Sequence, residues 1–233
     1  MHRLLLLFGL LISGCGAGGD EVQPAETAQA AGPQTFMGRE IAEVLESEHY
    51  QEGVDRPDRD VREMPARLIA ALRLGPADRV ADIGAGTGYY ALRLAPEVPH
   101  GRVFAVDLAP ALLDTVRSRA SEAGFRNVQP VLGDVRSVNL PPESIDLALI
   151  VVSYHEFSHP EDMLNSLLDA LRPGGRLVLV EYRGEDPTIP VADRHRMTEA
   201  QARREVESVG FEFIENLDAL PQQHVLVFQK ALG

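Results

Sequence analysis

Asp82-Ile83-Gly84-Ala85-Gly86-Thr87-Gly88 sets three alternate glycines between an apolar stretch and a helix-like one. Glycines at such a junction let the backbone approach a ligand closely, and the helix start beyond them offers N–H groups with no partner. Several kinds of nucleotide binder share a turn of this sort. The dinucleotide fingerprint needs its third glycine five residues after the first, and Tyr89 stands there. No Gly-Lys-Ser/Thr follows, which removes the nucleoside-triphosphate loop. Two acids come next in order. Asp107 lies 19 residues past Gly88, where a carboxylate can accept both hydroxyls of a ribose. Asp134, in Gly133-Asp134-Val135, is placed where a carboxylate can reach an exocyclic amine.

His155-Glu156-Phe157-Ser158-His159 matches H-E-x-x-H, which binds zinc when a continuous helix puts both imidazoles on one face. Here it follows an apolar strand without a break, and Pro160 comes directly after it. In a continuing helix that ring would clash with the carbonyl of Glu156 and interrupt the hydrogen-bond ladder. A third ligand on a following helix is not evident. A zinc hydrolase using His155, Glu156 and His159 therefore stays an alternative only, and no metal site is expected.

The elements that must hold these residues alternate from residue 60 onward. Met64, Leu68, Ile69 and Leu72 share a helical face that Gly75 is expected to end. Arg79–Ile83 and Val103–Val106 read as strands, and Leu112, Leu113, Val116 and Ala120 as a helix stopped by Gly124. Val128–Leu132 is a weaker strand whose Pro130 suggests an edge or a bulge. Ile145–Val152 is almost wholly apolar, as suits a central strand covered on both faces. Pro160 opens a helix through Leu164, Leu167, Leu168 and Leu171, with Pro173-Gly174-Gly175 closing it before a strand at Leu177–Val180. Thr198 caps a helix running to Val209, and Phe211–Ile214 and His224–Phe228 form a terminal antiparallel hairpin. Strands joined through helices imply crossovers, hence a parallel sheet with helices on both faces. There is no internal repeat.

As a set, the glycine turn with Asp82, the acids Asp107 and Asp134, the Leu171-Arg-Pro-Gly-Gly175 segment and the closing hairpin resemble the class I S-adenosylmethionine-dependent methyltransferases. The resemblance covers roughly residues 60–230. It implies a three-layer α/β Rossmann-like fold, with a seven-stranded sheet ordered 3-2-1-4-5-7-6 and the last strand antiparallel. It also implies S-adenosyl-L-methionine as cofactor. Gly84, Gly86 and Gly88 would then line its methionine and ribose, Asp82 its amino group, Asp107 with Leu108 the ribose side, and Asp134 with Val135 the adenine. Tyr89 packs over the cofactor or into the helix core. Ser153, Tyr154, His155 and Glu156 would face the sulfonium, with His155 as the base or acceptor-orienting group. Each has a plainer alternative: Asp82 as a solvated strand end, Asp134 as a turn residue, His155 as a hydrogen-bonded structural histidine. His159 caps the next helix. The Asn-Pro-Pro-aromatic sequence of many amino-group methyltransferases is absent, which weakens nucleic-acid adenine and protein glutamine as acceptors. Glu181-Tyr182-Arg183 and Arg194-His195-Arg196 read as solvated polar loops in preference to an acceptor wall. Arg56, Asp58, Arg59 and Asp60 form a charged stretch before the first domain helix, in a position where this family often covers its cofactor.

Ahead of this domain, Met1-His-Arg is followed by the apolar run Leu4–Ile12 and then Ser13-Gly14-Cys15. This is the layout of an export signal, too short to anchor a mature protein across a bilayer. The order Ile12-Ser13-Gly14-Cys15 also resembles the lipobox of bacterial lipoproteins. The expected organisation is a signal peptide over 1–14, lipid on Cys15, a flexible tether over 15–35 and a methyltransferase domain over 36–233. The protein would face the periplasm from the cell envelope, or stay cytoplasmic if the leader is not one. Cys15 is the only cysteine, so a cysteine nucleophile, a disulfide and a thiol-built metal site are all excluded. The net charge of −13 gives no cationic face for nucleic acid. The expected partner is a small-molecule or envelope acceptor, with a non-catalytic adenosyl-ligand-binding lipoprotein as the competing class.

Overall fold

The apolar run Ile145–Val151 hides a period of two that decides which side of the sheet each residue covers. In the computed structural model, which describes residues 35–43 and 58–232, it is β6 (Ile145–Val151) at the middle of the main sheet. Leu147 and Leu149 join one buried cluster, with Leu68, Leu72, Tyr90, Leu94 and Val116; Ala148 and Ile150 join the other, with Leu164, Leu167, Ala202 and Val206. Two apolar layers on one sheet need two sets of helices. On the first face lie α2 (Pro65–Leu72), α3 (Tyr89–Leu94) and α4 (Pro110–Glu122); on the second lie α5 (Pro160–Ala170) and α6 (Glu199–Glu207).

The remaining strands are β3 (Arg79–Ile83), β4 (Arg102–Asp107), β5 (Val128–Leu132), β7 (Leu171–Arg183), β9 (Phe211–Asn216) and β10 (Gln223–Lys230). They run in the order β5-β4-β3-β6-β7-β10-β9, with β10 antiparallel to both its neighbours. This is the implied 3-2-1-4-5-7-6 sheet. Pro130 sits on the edge strand β5, where a missing N–H is least costly. Thr198 caps α6 by accepting from the Gln201 N–H at 3.1 Å, as its residue type predicts.

Some boundaries differ from those the sequence predicts. Helix α2 ends at Leu72 because Arg73 itself turns left-handed (φ 50°), while the Gly75 N–H is used by Asp78 at 2.9 Å. Helix α5 ends at Ala170, and Leu171 already belongs to β7. Opposite Asp146 the register slips from Leu171 to Arg176, so Arg172-Pro-Gly-Gly175 bulges out of the strand. Arg172 reaching Asp146 at 2.6 Å pins that bulge. Three further elements carry no periodic signal in the sequence. They are the hairpin β1 (Thr35–Phe36) with β2 (Arg39–Glu40), the short helix α1 (Arg59–Glu63), and the two-residue β8 (Arg196–Met197) lying parallel to β7. The lipobox with Cys15, most of the tether, and Arg56 lie outside the described residues. Among the described residues no helix is long and apolar enough to cross a membrane.

Candidate active site

The turn after β3 folds as it does because its glycines take backbone angles that other residues resist. Gly84, Gly86 and Gly88 have φ of 72°, 55° and 88°. At Gly84 an added Cβ would also lie 2.9 Å from the hydroxyl of Ser153. The N–H groups of Gly84 and Ala85 converge on the Val106 carbonyl at 2.9 and 3.0 Å, tying the turn to the end of β4. Asp107 completes the tie: Oδ2 accepts from Gly86 N–H at 2.8 Å and Oδ1 from Ala109 N–H at 3.0 Å. Burial raises the Asp107 carboxyl and these backbone donors oppose the rise. Each carboxylate oxygen keeps a lone pair for a further donor.

Asp82 is buried at the C-terminal end of β3, and its Oδ2 has no hydrogen-bond partner among the described residues. Burial pushes its carboxyl up to about 7, against the Ala91 N–H and the charge of Arg59, with Asp107 adding to the rise. A buried carboxylate oxygen without a donor is costly unless something charged or polar completes it. The plainer alternative of a solvated strand end does not hold. The ammonium of a methionine moiety is such a group, and the residues present fit S-adenosyl-L-methionine on this observation. Because ionisation of Asp82 is opposed by burial, it destabilises the fold as the pH climbs through about 7, and a bound ammonium removes that penalty. Donor affinity is therefore expected to fall roughly tenfold from about pH 7.5 to about pH 6, as Asp82 takes up its proton. Calorimetry across that range, with Asp82→Asn as the reference that lacks the slope, checks it; a flat wild-type profile counts against the pairing.

The residues expected at the outer part of the cofactor are more open. Leu108 is exposed beside Asp107, an apolar side chain available to pack on a ring. Asp134 is exposed and its Oδ1 accepts from Arg136 N–H at 2.7 Å, the turn given as its plainer alternative, while Val135 is half-buried next to it. Tyr89 is flanked by guanidinium groups: Arg59 and Arg93 lie 3.7 and 3.8 Å from its ring centroid, and its hydroxyl is bound by Asp60. Arg59 and Asp60 thus pack α1 on the helix that follows the glycine turn.

Beyond β6 the chain makes a sharp corner. Val152 takes φ 50°, a strained angle for a β-branched residue, while its N–H still pairs with Val180 at 2.8 Å. The corner sets Ser153 against Gly84 and leads into a 3-10 turn, Tyr154–Glu156. His155 is buried there. Its Nδ1 pairs with Glu181 Oε2 at 2.7 Å, and its backbone N–H donates to Oε1 of the same carboxylate at 3.2 Å. Its Nε2 faces His195 Nδ1 at 3.0 Å and Glu156 Oε1 at 3.7 Å. Burial alone would lower the His155 imidazole, but Glu181 and Glu156 outweigh it and hold it up to about 9. A group that keeps its proton so firmly is a poor base at neutral pH. Burial and the neighbouring His155 charge lower His195.

Two expectations are corrected by this geometry. Glu181 and His195 do not belong to solvated loops: Glu181 is fully buried and both are bonded to His155. Tyr154, expected to face the sulfonium, turns the other way, and its buried hydroxyl donates to Glu205 Oε2 at 2.9 Å. Glu205 receives Arg39 as a bidentate partner at 2.8 and 2.9 Å, and Arg39 also donates to the His155 carbonyl at 3.0 Å. The β1–β2 hairpin is thereby fastened beneath the histidine turn. Arg39 and Glu205 carry no sequence signal, because the pair is 166 positions apart. The H-E-x-x-H helix does not form. His155 ends up in the 3-10 turn, whereas His159 stands at the N-cap position of α5, where its ring pairs with Ser158 at 3.1 Å and caps no N–H.

Residues 80–175, from β3 through the β7 bulge, match the protein family described as a methyltransferase domain. The ubiquinone/menaquinone biosynthesis C-methyltransferase of Ectopseudomonas mendocina is 36% identical over 109 residues, which are 46% of this chain and 43% of that one. The protein-L-isoaspartate O-methyltransferase of Methanopyrus kandleri is 36% identical over 135 residues, 57% of this chain and 52% of the other. The chain thus matches about half the length of these relatives. Among solved structures, a SAM-dependent methyltransferase from Aquifex aeolicus superposes with a TM-score of 0.73 at 19% identity, over 78% of this chain and 98% of that one. Residues 80–175 thus match a methyltransferase domain family, and the chain shares the fold of the Aquifex aeolicus enzyme.

Proposed function

We propose that this protein transfers the methyl group of S-adenosyl-L-methionine to a small molecule or an envelope component. The observation that carries the reading is the buried Oδ2 of Asp82, without a partner among the described residues, beside a glycine turn tied to Asp107. When bound, the cofactor supplies an electrophilic methyl on sulfur. The chain's share is positional. Asp82 takes the ammonium, Asp107 and Leu108 the ribose side, and Asp134 with Val135 the adenine edge. Ser153 packs on Gly84, and the histidine turn two residues on borders the space for an acceptor. The two relatives are named for transfer to carbon in one case and to oxygen in the other, so the acceptor atom is left to experiment. Calorimetry with the donor and its demethylated product, followed by product search in an envelope extract, tests the reading. Binding with turnover supports it, binding without any acceptor favours a ligand sensor, and no binding at all overturns both.

The export leader and lipobox add a location to this proposal: an envelope protein held to a membrane through lipid on Cys15. Cys15→Ala is expected to abolish incorporation of radiolabelled palmitate and release the protein from the membrane fraction. Wild-type protein that takes up no label counts against the anchor.

A further inference from the structure

Three donor atoms from two separate turns meet beside His155. His155 and Glu156 come from the 3-10 turn after β6, and His195 from the 3-10 turn Asp193–His195 that leads into β8. The second turn is fixed by the pairing of Arg196 with Tyr182 and by Arg196 donating to the Asp186 carbonyl at 2.6 Å. His155 Nε2 and His195 Nδ1 are 3.0 Å apart, and Glu156 Oε1 lies 3.7 and 3.9 Å from them. A point equidistant from three atoms with those separations is about 2.1 Å from each, the length of a zinc–nitrogen or zinc–oxygen bond.

The surroundings suit that point. The fully buried Glu181 takes the Nδ1–H of His155, so the proton that a metal would displace is the one on Nε2, which faces the other donors. Two carboxylates, Glu156 and Glu181, face two imidazoles. Of the nearby cations, Arg39 is already committed to Glu205, and Arg194 bears on His195. The two facing ring nitrogens can share at most one proton, and a cation between them satisfies both lone pairs at once. We propose that His155 Nε2, His195 Nδ1 and Glu156 Oε1 bind a divalent transition-metal ion, and that its open coordination positions take an oxygen or nitrogen of the methyl acceptor. This ligand set differs from H-E-x-x-H, because His195 replaces His159. It also departs from the expectation that the chain holds no metal. Binding of the ion stands on the geometry alone; its contact with the acceptor rests on the methyl-transfer reading.

Cobalt(II) titrated into the full-length chain, stripped beforehand with a chelator, is the direct test. A saturable visible absorption band, displaced by zinc, is expected in the wild type. His195→Ala, a partly exposed position, should lose it. Glu181→Gln should weaken metal binding roughly 10- to 100-fold, because only the orienting bond is lost. Binding of the demethylated donor to the same samples, measured by calorimetry, reports separately on the cofactor reading and on folding. A wild type that binds donor product but shows no cobalt band beyond that of His195→Ala overturns the metal site and leaves the methyltransferase reading standing. A cobalt band with no donor binding does the reverse.

Discussion

Arg39→Ala is expected to unfold about 10 °C below the wild type, a loss of roughly 3–5 kcal/mol. Arg39 is 9% exposed and Glu205 is wholly buried, so the surviving carboxylate would be left in the interior with only neutral donors. Those donors, the Tyr154 hydroxyl at 2.9 Å and the Gln201 amide at 2.6 Å, stabilise a charge far less than a bidentate guanidinium does. The effect is that of an orphaned charge and overstates what the pair contributes to folding. Adding Glu205→Gln to Arg39→Met therefore restores most of the midpoint, since no charge then remains to be compensated. A change in the single variant below about 2 °C, the behaviour of an exposed ion pair, would contradict the buried geometry. The same substitution leaves the His155 carbonyl with the Ala42 N–H as its one remaining donor of the two, so the histidine turn should loosen with it.

Asp107→Ala is expected to weaken binding of the methyl donor roughly 100-fold, about 3 kcal/mol. Two losses combine in that figure. The ribose hydroxyls lose a charged acceptor, and the Gly86 N–H loses the carboxylate that sets the glycine turn. Asp107→Asn keeps one acceptor oxygen and should fall between the two, which separates the ligand contact from the turn. Titration of the demethylated donor into wild type and both variants, with thermal midpoints recorded alongside, gives the ordering. Equal affinities across the three would remove the cofactor from this cleft, whatever the fold resembles.

Much of this molecule was legible in the chain because the signals are local. The apolar run at β6, the glycines with left-handed angles, the proline at the start of α5 and the Thr198 cap each constrain their own neighbourhood. Element ends were less legible. Arg73 turning left-handed before Gly75, and the Arg172–Gly175 bulge opposite Asp146, depend on partners a strand away.

Spacing within single crossovers was enough to dictate the layered α/β architecture and to put Asp82 and Asp107 at the ends of neighbouring strands. The fate of the histidine turn was settled only once the chain had packed in three dimensions. Packing sent Tyr154 to Glu205, buried Glu181 under His155 and brought His195 across from a turn 40 positions away. Contacts of that range are set by how β7, β8 and α6 close against one another. No periodicity encodes them, because the residues are joined only after the sheet and its helices have come together.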